Sequence, residues 1–281
     1  MTVRALRRRF MSGLMTGLVA ALCAIAVLAL LLILGDLVVK GASSLDWNFF
    51  VKNPVPAGQT GGGVANAIVG TAIIVGLASL IGLPIGIGTG LYLAEFGTGR
   101  LGWIVRFVAD VLNGTPSIVV GIFAWTWLVK PMGHFSALAG GIGLAVLMVP
   151  MIARTSEEMI RLVPHSLREA ALALGYPRWR TSLRIIVRTA LAGIITGCLV
   201  GVARIAGETA PLLFTALGNL NFVTSIRQPM QTLSLQIFTY ATGPFEDWHR
   251  LAWAAALVLM GLVLILATSA RWATRKRYVG R

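Results

Sequence analysis

Hydrophobic residues along this chain are concentrated in six long stretches that are separated by segments carrying most of the polar and charged residues. The stretches cover approximately residues 15–39, 64–93, 101–129, 135–153, 190–214 and 251–270. A helix needs about 20 mostly apolar residues to cross a bilayer, and each stretch is close to or above that length. One such run is compatible with a buried helix in a large soluble protein, but six are not. The pattern therefore predicts an all-α polytopic membrane protein with six transmembrane helices.

Two of these stretches contain residues that change how a helix packs or continues. Gly82, Gly86 and Gly90 recur every four residues and so share one helix face, which lets a neighbouring helix approach closely. The sequence NGTPS, residues 113–117, interrupts the third stretch at Pro116, because proline lacks a backbone donor and clashes with the preceding turn. This interruption predicts either a simple kink or an element of a transport pathway, and both interpretations stay open at this point.

The basic residues predict the orientation of the chain in the membrane. The net charge is +14, yet of the 24 Lys and Arg residues eighteen fall in the two terminal segments and the alternate connections, five on the opposite side, and Arg204 inside a stretch. This placement indicates a membrane topology and not a nucleic-acid-binding surface. Since Lys and Arg are enriched in cytoplasmic loops, we expect a single transmembrane domain over residues 14–273, with cytoplasmic segments at 1–13, 154–188 and 274–281.

The segment between the fourth and fifth stretches predicts a short helix on the cytoplasmic side. In SLREAALALGYP, Ser166 and Glu169 have the spacing of a capping box at a helix start. Strong helix formers follow, Gly175 supplies a stop, and Pro177 can begin the next helical segment. A connection between antiparallel helices commonly needs only about 2–8 residues, so this longer one, which predicts a helix with an apolar face, indicates docking to a partner.

This segment also carries a resemblance to a known family. The pattern formed by Glu169, Ala170, Ala171 and Gly175 resembles the EAA loop of permease subunits in binding-protein-dependent ABC importers. In that family the loop forms a coupling helix that sits in a cleft of a separate cytoplasmic ATPase. The resemblance implies the type I ABC importer permease architecture in a bacterial inner membrane.

Three separated motifs narrow the resemblance further. RTSEEMIRLVPHSLREAALALG, NGTPSIVVGIF and ARIAGETAPLLFTALGN are similar to the PstA-type permeases of phosphate ABC importers. This similarity implies ATP-driven import of inorganic phosphate. It also implies a second permease of PstC type, two copies of a PstB-type ATPase and a PstS-type periplasmic binding protein. The alternatives are a permease for another oxyanion or a phosphonate and, in another class, a stand-alone secondary transporter or channel.

Two charges lie inside the fifth stretch, and they are the candidate substrate site. Arg204 and Glu208 are spaced as i and i+4 on one face of a predicted helix, in the outer half of the membrane. Each charge near the bilayer centre costs roughly 2.5–3.5 kcal/mol on insertion scales. Either they form a structural pair, or the Arg204 guanidinium binds a phosphate-like anion and Glu208 limits how tightly the anion is held.

Two further residues are candidates for the anion pathway. Thr209 either donates its hydroxyl to the anion or bonds back to its own helix. Arg154 is either a second anion contact on the exit side or one more member of the cytoplasmic basic set. In the outer connection, residues 229–240 have the spacing of a partly buried helix, which would cap the outer mouth or contact the binding protein.

The remaining residues predict no catalytic chemistry of their own. The chain has no G-x-x-x-x-G-K-[ST] run with which to bind ATP phosphates, so ATP hydrolysis is expected of a partner. His134, His165 and His249 lie in separate connections without the spacing of a metal site. We therefore expect a transport subunit that is not an enzyme and holds neither a metal nor a cofactor.

Overall fold

The computed structural model describes residues 3–56 and 61–278. Within these ranges the regular elements are helices, apart from one isolated β-bridge. The helices are α1 (Val3–Ala42), α2 (Trp47–Val51), α3 (Ala65–Glu95), α4 (Arg100–Gly114), α5 (Ser117–Ala124), α6 (Lys130–Met132), α7 (Ala137–Arg161), α8 (His165–Ala173), α9 (Arg178–Arg180), α10 (Val187–Ala206), α11 (Ala210–Thr215), α12 (Leu233–Ala241) and α13 (Glu246–Tyr278). Two π-helical turns, Trp125–Val129 and Thr181–Ile186, join α5 to α6 and α9 to α10. Residues 1–2 and 279–281 of the predicted terminal segments lie outside the described residues.

The helices agree with the prediction of six spans. Five are long and apolar enough to cross a membrane, and the sixth span corresponds to a bent pair, Arg100–Gly114 with Ser117–Met132. The two helices of this pair meet at 104°, which is far more than a simple kink. Pro116 is extended at φ −56° and ψ 133°, so the chain leaves α4 before the proline and begins a new helix after it.

The centre of the fold is the close pair formed by α3 and α7. A Cβ placed on Gly86 would lie 2.7 Å from Cβ of Ile152, and one on Gly90 would lie 2.6 Å from Cβ of Ser156. Only glycine permits this approach, so the predicted role of the glycine face in helix packing is confirmed. Ile152 is buried in the main hydrophobic core, to which α3, α7 and α10 all contribute.

The fourth span is longer than predicted, so the connection between the fourth and fifth spans is shorter than predicted. Helix α7 continues past residue 153 to Arg161, because ion pairs along its last turns support the helix. Glu157 lies 3.0 Å from Arg154 and 2.8 Å from Arg161, at the i,i+3 and i,i+4 spacings that stabilise helices. The connection that protrudes from the spans is therefore residues 162–177.

Helix α1 contacts the rest of the described chain mainly near its C-terminal end. Leu37 is buried, and a Cβ placed on Gly41 would lie 2.9 Å from Cβ of Leu257 on α13. The preceding apolar residues, from Phe10 to Ile33, are exposed along the helix. This helix therefore contributes a span but little of the core.

Candidate functional sites

The fifth predicted span is broken where its two charges lie. Helix α10 ends at Ala206 and α11 begins at Ala210, so Arg204 lies in the last turn of α10 and Glu208 lies in the break. The expectation that both charges share one face of a continuous helix is therefore wrong. Gly207 ends the first helix, and Pro211 occupies the first turn of the second, where its missing donor costs nothing.

Arg204 and Glu208 nevertheless remain neighbours across the break. Arg204 Nε lies 3.8 Å from Glu208 Oε1, beyond hydrogen-bond distance but within range of a charge pair. The Arg204 side chain is 63% exposed and the Glu208 side chain 21%. The guanidinium therefore keeps most of its donors available to another ligand.

These residues line a cleft that also contains the NGTPS segment. The cleft has a volume of about 200 Å³. Its lining residues come from the α4–α5 junction, from α7 and from the α10 break: Leu112, Asn113, Thr115, Pro116, Ser117, Leu147, Met151, Arg204, Ile205 and Glu208. The sharp bend at Pro116 thus places the N-terminus of α5 on the wall of the cleft that Arg204 also lines. Positive partial charge at a helix N-terminus favours anions.

Thr209 and Arg154 are not among the residues that line this cleft. Thr209 immediately precedes α11, and its carbonyl accepts backbone hydrogen bonds from Leu212 and Leu213. Arg154 lies one turn beyond Met151 on α7, and its guanidinium lies 2.9 Å from Asp110 and 3.0 Å from Glu157. The structure therefore brings together two of the four predicted pathway residues.

Glu157 is a functional candidate that the sequence reasoning missed. Glu157 is 1% exposed. Its carboxylate forms ion pairs with the guanidinium groups of Arg106 at 2.6 Å, Arg161 at 2.8 Å and Arg154 at 3.0 Å. Arg106 also donates to the carbonyls of Leu93 and Gly97 at the end of α3. One buried carboxylate therefore joins α4 to the α3–α7 pair. The only signal in the sequence was an acidic pair, Glu157–Glu158, within an otherwise basic segment.

Helix α12, in the connection between the fifth and sixth spans, supports the break in the fifth span. Ser234 Oγ donates to the carbonyl of Glu208 at 3.0 Å, and the Leu233 amide donates to Thr71 Oγ1 at 2.8 Å. Burial raises the pKa of Tyr240, near the end of this helix, to about 12, so its phenol stays protonated. The predicted partly buried helix in this connection is confirmed, over Leu233–Ala241 instead of the whole of residues 229–240.

The predicted cytoplasmic helix is present as α8, and its end has the expected geometry. Gly175 has φ +79°, its amide donates to Leu172, and the Tyr176 amide donates to Ala171. This pair of hydrogen bonds is the Schellman motif. The predicted stop at Gly175 is therefore confirmed, and Pro177 precedes the next helical segment as expected.

The start of α8 differs from the prediction. The helix begins at His165 after Pro164, two residues earlier than a Ser166 cap requires, and no side chain caps it. Ser166 is already inside the helix, so the predicted capping box with Glu169 does not form. Glu169 and Ala170 are exposed, whereas Ala171 is buried against the body of the protein. The exposed surface of α8 and the following turn is partly apolar, with Leu174 79% exposed.

Comparisons with known proteins show the family to which this chain is similar. The family described as the binding-protein-dependent transport system inner membrane component matches residues 82–277. The phosphate transport system permease protein PstA of Yersinia pestis is 46% identical over 245 residues, covering 86% of this chain and 82% of the relative. The PstA protein of Haemophilus influenzae is 44% identical over 260 residues, covering 92% of each chain.

Two solved transporters share the fold at low sequence identity. A bacterial alginate ABC transporter superposes with a TM-score of 0.68 at 15% identity, covering 97% of this chain and 96% of that chain. The methionine ABC transporter MetNI, in an inward-facing conformation, gives a TM-score of 0.62 at 18% identity, covering 78% and 96%. These likenesses confirm the predicted ABC importer permease architecture. The chain therefore belongs to the inner membrane components of binding-protein-dependent transport systems and, among them, to the PstA family of permeases.

Proposed function

We propose that this chain is the permease subunit of an ATP-driven importer that moves inorganic phosphate across the bacterial inner membrane into the cytoplasm. The observation that carries the proposal is the cleft in which an exposed guanidinium and a helix N-terminus line a common space, in a chain of the PstA family. Members of the family are components of transport systems, so ATP hydrolysis belongs to a partner subunit. An anion is the ligand class that both features favour.

The proposed anion pathway runs past Arg204 in the fifth span. The planar guanidinium matches two phosphate oxygens at once, and its 63% exposed side chain is accessible from the cleft. Asn113 and Ser117 supply neutral hydrogen-bond donors on the α4–α5 wall of the cleft, next to the α5 N-terminus. Glu208 holds the arginine when the cleft is empty and limits the affinity for the anion, which a transporter must release. We propose Thr209, next to Glu208, and Arg154, toward the cytoplasmic end of α7, as further contacts of the anion along its path.

We propose that the ATPase drives transport by acting on the cytoplasmic helix α8. Glu169 and Ala170 lie on its exposed surface, while Ala171 packs against the spans. This division of contacts fits a helix that docks to an ATPase on one side and to the permease on the other. The proposed complex contains this chain, a PstC-type second permease, two PstB-type ATPase subunits and a PstS-type periplasmic binding protein.

The proposed orientation places both termini and residues 162–177 in the cytoplasm. The basic residues on α8, α9 and the start of α10 support this orientation by the positive-inside rule. The outer connection with α12 then faces the periplasm, where the binding protein delivers its ligand. Residues 1–13 and 274–281 remain the proposed cytoplasmic ends of one transmembrane domain.

Uptake by the assembled complex tests the proposal. The chain is purified with its co-purifying subunits, reconstituted into vesicles with the binding protein, and supplied with radiolabelled phosphate with or without ATP. ATP-dependent phosphate accumulation is expected. Accumulation without ATP or an ATPase subunit would indicate a secondary transporter or channel. Accumulation of methylphosphonate or another oxyanion in place of phosphate would indicate one of the alternative substrates.

A further inference from the structure

A second carboxylate, the partly buried Glu95, lies where the coupling helix meets the spans. Glu95 is the last residue of α3, and its side chain is 11% exposed. Arg168 on α8 donates to Glu95 Oε1 through Nε at 3.1 Å and through a terminal nitrogen at 2.8 Å. Ser182 Oγ donates to the other oxygen, Oε2, at 2.9 Å. Both carboxylate oxygens are therefore engaged, by two different parts of the chain.

Arg168 also binds the end of α7. Its two terminal nitrogens donate to the carbonyls of Val163 at 2.9 Å and Ile160 at 3.2 Å. Carbonyls at a helix C-terminus lack partners within the helix, so a guanidinium is a suitable donor to them. The Arg168 side chain is 16% exposed. This arginine thus fixes α8 to α3 and α7 from its inner side, whereas the neighbouring Glu169 is exposed on the outer surface.

Ser182 extends the same contact to the fifth span. It is 4% exposed and lies in the π-helical turn Thr181–Ile186, which continues directly into α10. Helix α10 ends in the turn that carries Arg204. The Glu95 carboxylate is therefore a common contact of the coupling helix, the α3–α7 pair and the span that lines the cleft. Single π-helical turns occur frequently at functional sites.

Helix packing alone does not account for this arrangement. A buried ion pair loses its hydration and is commonly no more stabilising than apolar residues of similar volume, whereas removing one partner leaves an uncompensated charge. An ion pair with fixed hydrogen bonds does, however, hold its elements in one relative orientation. A fixed orientation relative to its neighbours is needed if one helix is to transmit its movement to the others.

We propose that Glu95, Arg168 and Ser182 form a coupling latch, a set of positioning residues that makes α8, α3, α7 and α10 move together when an ATPase displaces α8. The latch rests on the proposed function, because it needs an ATPase to act on α8. The latch transmits force between helices, and it is distinct from the exposed surface of α8 that docks the ATPase.

The test compares transport with ATP hydrolysis in the complete reconstituted complex. Arg168→Ala, Glu95→Gln and Ser182→Ala are measured for phosphate uptake, for ATP hydrolysis stimulated by the binding protein, and for the amount of ATPase that co-purifies. The latch variants are expected to keep the ATPase bound while uptake per ATP hydrolysed falls by roughly two- to thirtyfold. The double variant Arg168→Ala with Glu95→Gln is expected to lose no more than the more impaired single variant, because both remove one contact.

Matched controls come from the same region of the chain. Arg188→Ala and Glu158→Gln remove exposed charges that have no ion pair among the described residues. Both are expected to show the wild-type ratio of uptake to hydrolysis. A wild-type ratio in Arg168→Ala and Glu95→Gln, with the complex assembled, would overturn the latch.

Two further outcomes of the experiment can also be interpreted. If Arg168→Ala fails to assemble, Ser182→Ala decides, because it leaves the ion pair in place: a lowered ratio supports the latch and a wild-type ratio rejects it. If the wild-type complex imports no phosphate, the proposed function fails. In that case the stimulation of ATP hydrolysis by the binding protein still tests the latch, which predicts weaker stimulation in the three latch variants only.

Discussion

Arg204 and Glu208 face each other at 3.8 Å across a gap in the helix that carries them. A continuous helix would satisfy its own backbone, whereas in the gap the Glu208 carbonyl accepts a hydrogen bond from Ser234 of α12. Irregular backbone at membrane depth is tolerated where it is buried in protein or lines a water-filled cavity. The break is thus part of the cleft, and the two charges mark its edge.

Removing the guanidinium is expected to abolish most phosphate uptake. Arg204→Ala should lower the uptake rate of the assembled complex by about tenfold to a hundredfold, the range that a lost charge-assisted hydrogen bond implies. Arg204→Lys should recover only part of the rate, because an ammonium lacks the planar fork. Arg188→Ala, an exposed arginine at the other end of α10, is the control. Normal uptake by Arg204→Ala at normal assembly would reject the anion contact, and failed assembly would favour a structural pair.

Neutralising the partner carboxylate is expected to slow release of the anion. Glu208→Gln keeps the shape of the side chain but removes the competitor for Arg204, so phosphate should be retained longer in the cleft. We expect a lower maximal uptake rate with no loss of assembly, and more radiolabelled phosphate trapped per complex after rapid filtration. An unchanged maximal rate would show that Glu208 does not regulate release.

The left-handed turn after α8 is expected to need glycine. Gly175 has φ +79°, and a Cβ added there would meet no neighbour within 4 Å, so Gly175→Ala should cost roughly 1–2 kcal/mol through backbone conformation alone. Less ATPase should co-purify with this variant, and Gly175→Asn should be milder. Gly88→Ala, at an equally open helical position, is the control. Equal ATPase recovery in Gly175→Ala and Gly88→Ala would contradict the prediction.

The α3–α7 contact is expected to tolerate no added methyl group. Gly86→Ala would place Cβ 2.7 Å from the Ile152 side chain, which is 1% exposed and has no space to move. Overpacking of this kind costs about 1–3 kcal/mol, so the thermal unfolding midpoint of the purified complex should fall. Gly76→Ala, on the same helix with nothing within 4 Å, should leave the midpoint unchanged. Equal midpoints for the two variants would argue against the packing described.

The buried carboxylate of Glu157 is expected to be essential for stability. Glu157→Gln leaves three arginines without their shared counter-charge, and breaking a buried pair costs roughly 3–5 kcal/mol. Arg106 is most affected, because its contact at 2.6 Å is the shortest of the three. Thermal unfolding of the purified complex measures the loss, with the exposed Glu158→Gln as control. A variant as stable as the control would contradict this role.

Features set by local pattern were predictable from the sequence. The apolar stretches predicted the spans, because each stretch alone is long enough to cross a bilayer. Gly175 predicted the end of α8, because a left-handed C-cap depends only on one residue and its immediate neighbours. By contrast, the apolar run through residue 214 favoured one continuous fifth helix. Gly207 and Pro211, which are ordinary stop and start signals, show in retrospect where it breaks.

Features set by packing between distant segments were not predictable. Arg106 and Glu157 are 51 residues apart, and Arg168 and Glu95 are 73 residues apart. Each pair forms because α3, α4, α7 and α8 converge at one end of the bundle. The sequence predicts that these arginines belong to the cytoplasmic basic set, but it does not indicate which carboxylates they contact. The contribution of NGTPS to the cleft likewise depends on the 104° bend, whose angle no local pattern specifies.

The π-helical turn at Thr181–Ile186 determines the rotational register of the fifth span. Such a turn holds one residue more than the α-helical turn it replaces, so every later side chain of α10 is rotated by about 100° from its place in an unbroken α-helix. With this rotation Gly201 faces Ile152 of α7 and Arg204 borders the cleft. The direction in which Arg204 points is therefore encoded some twenty residues upstream, in the length of a turn at the opposite end of the span.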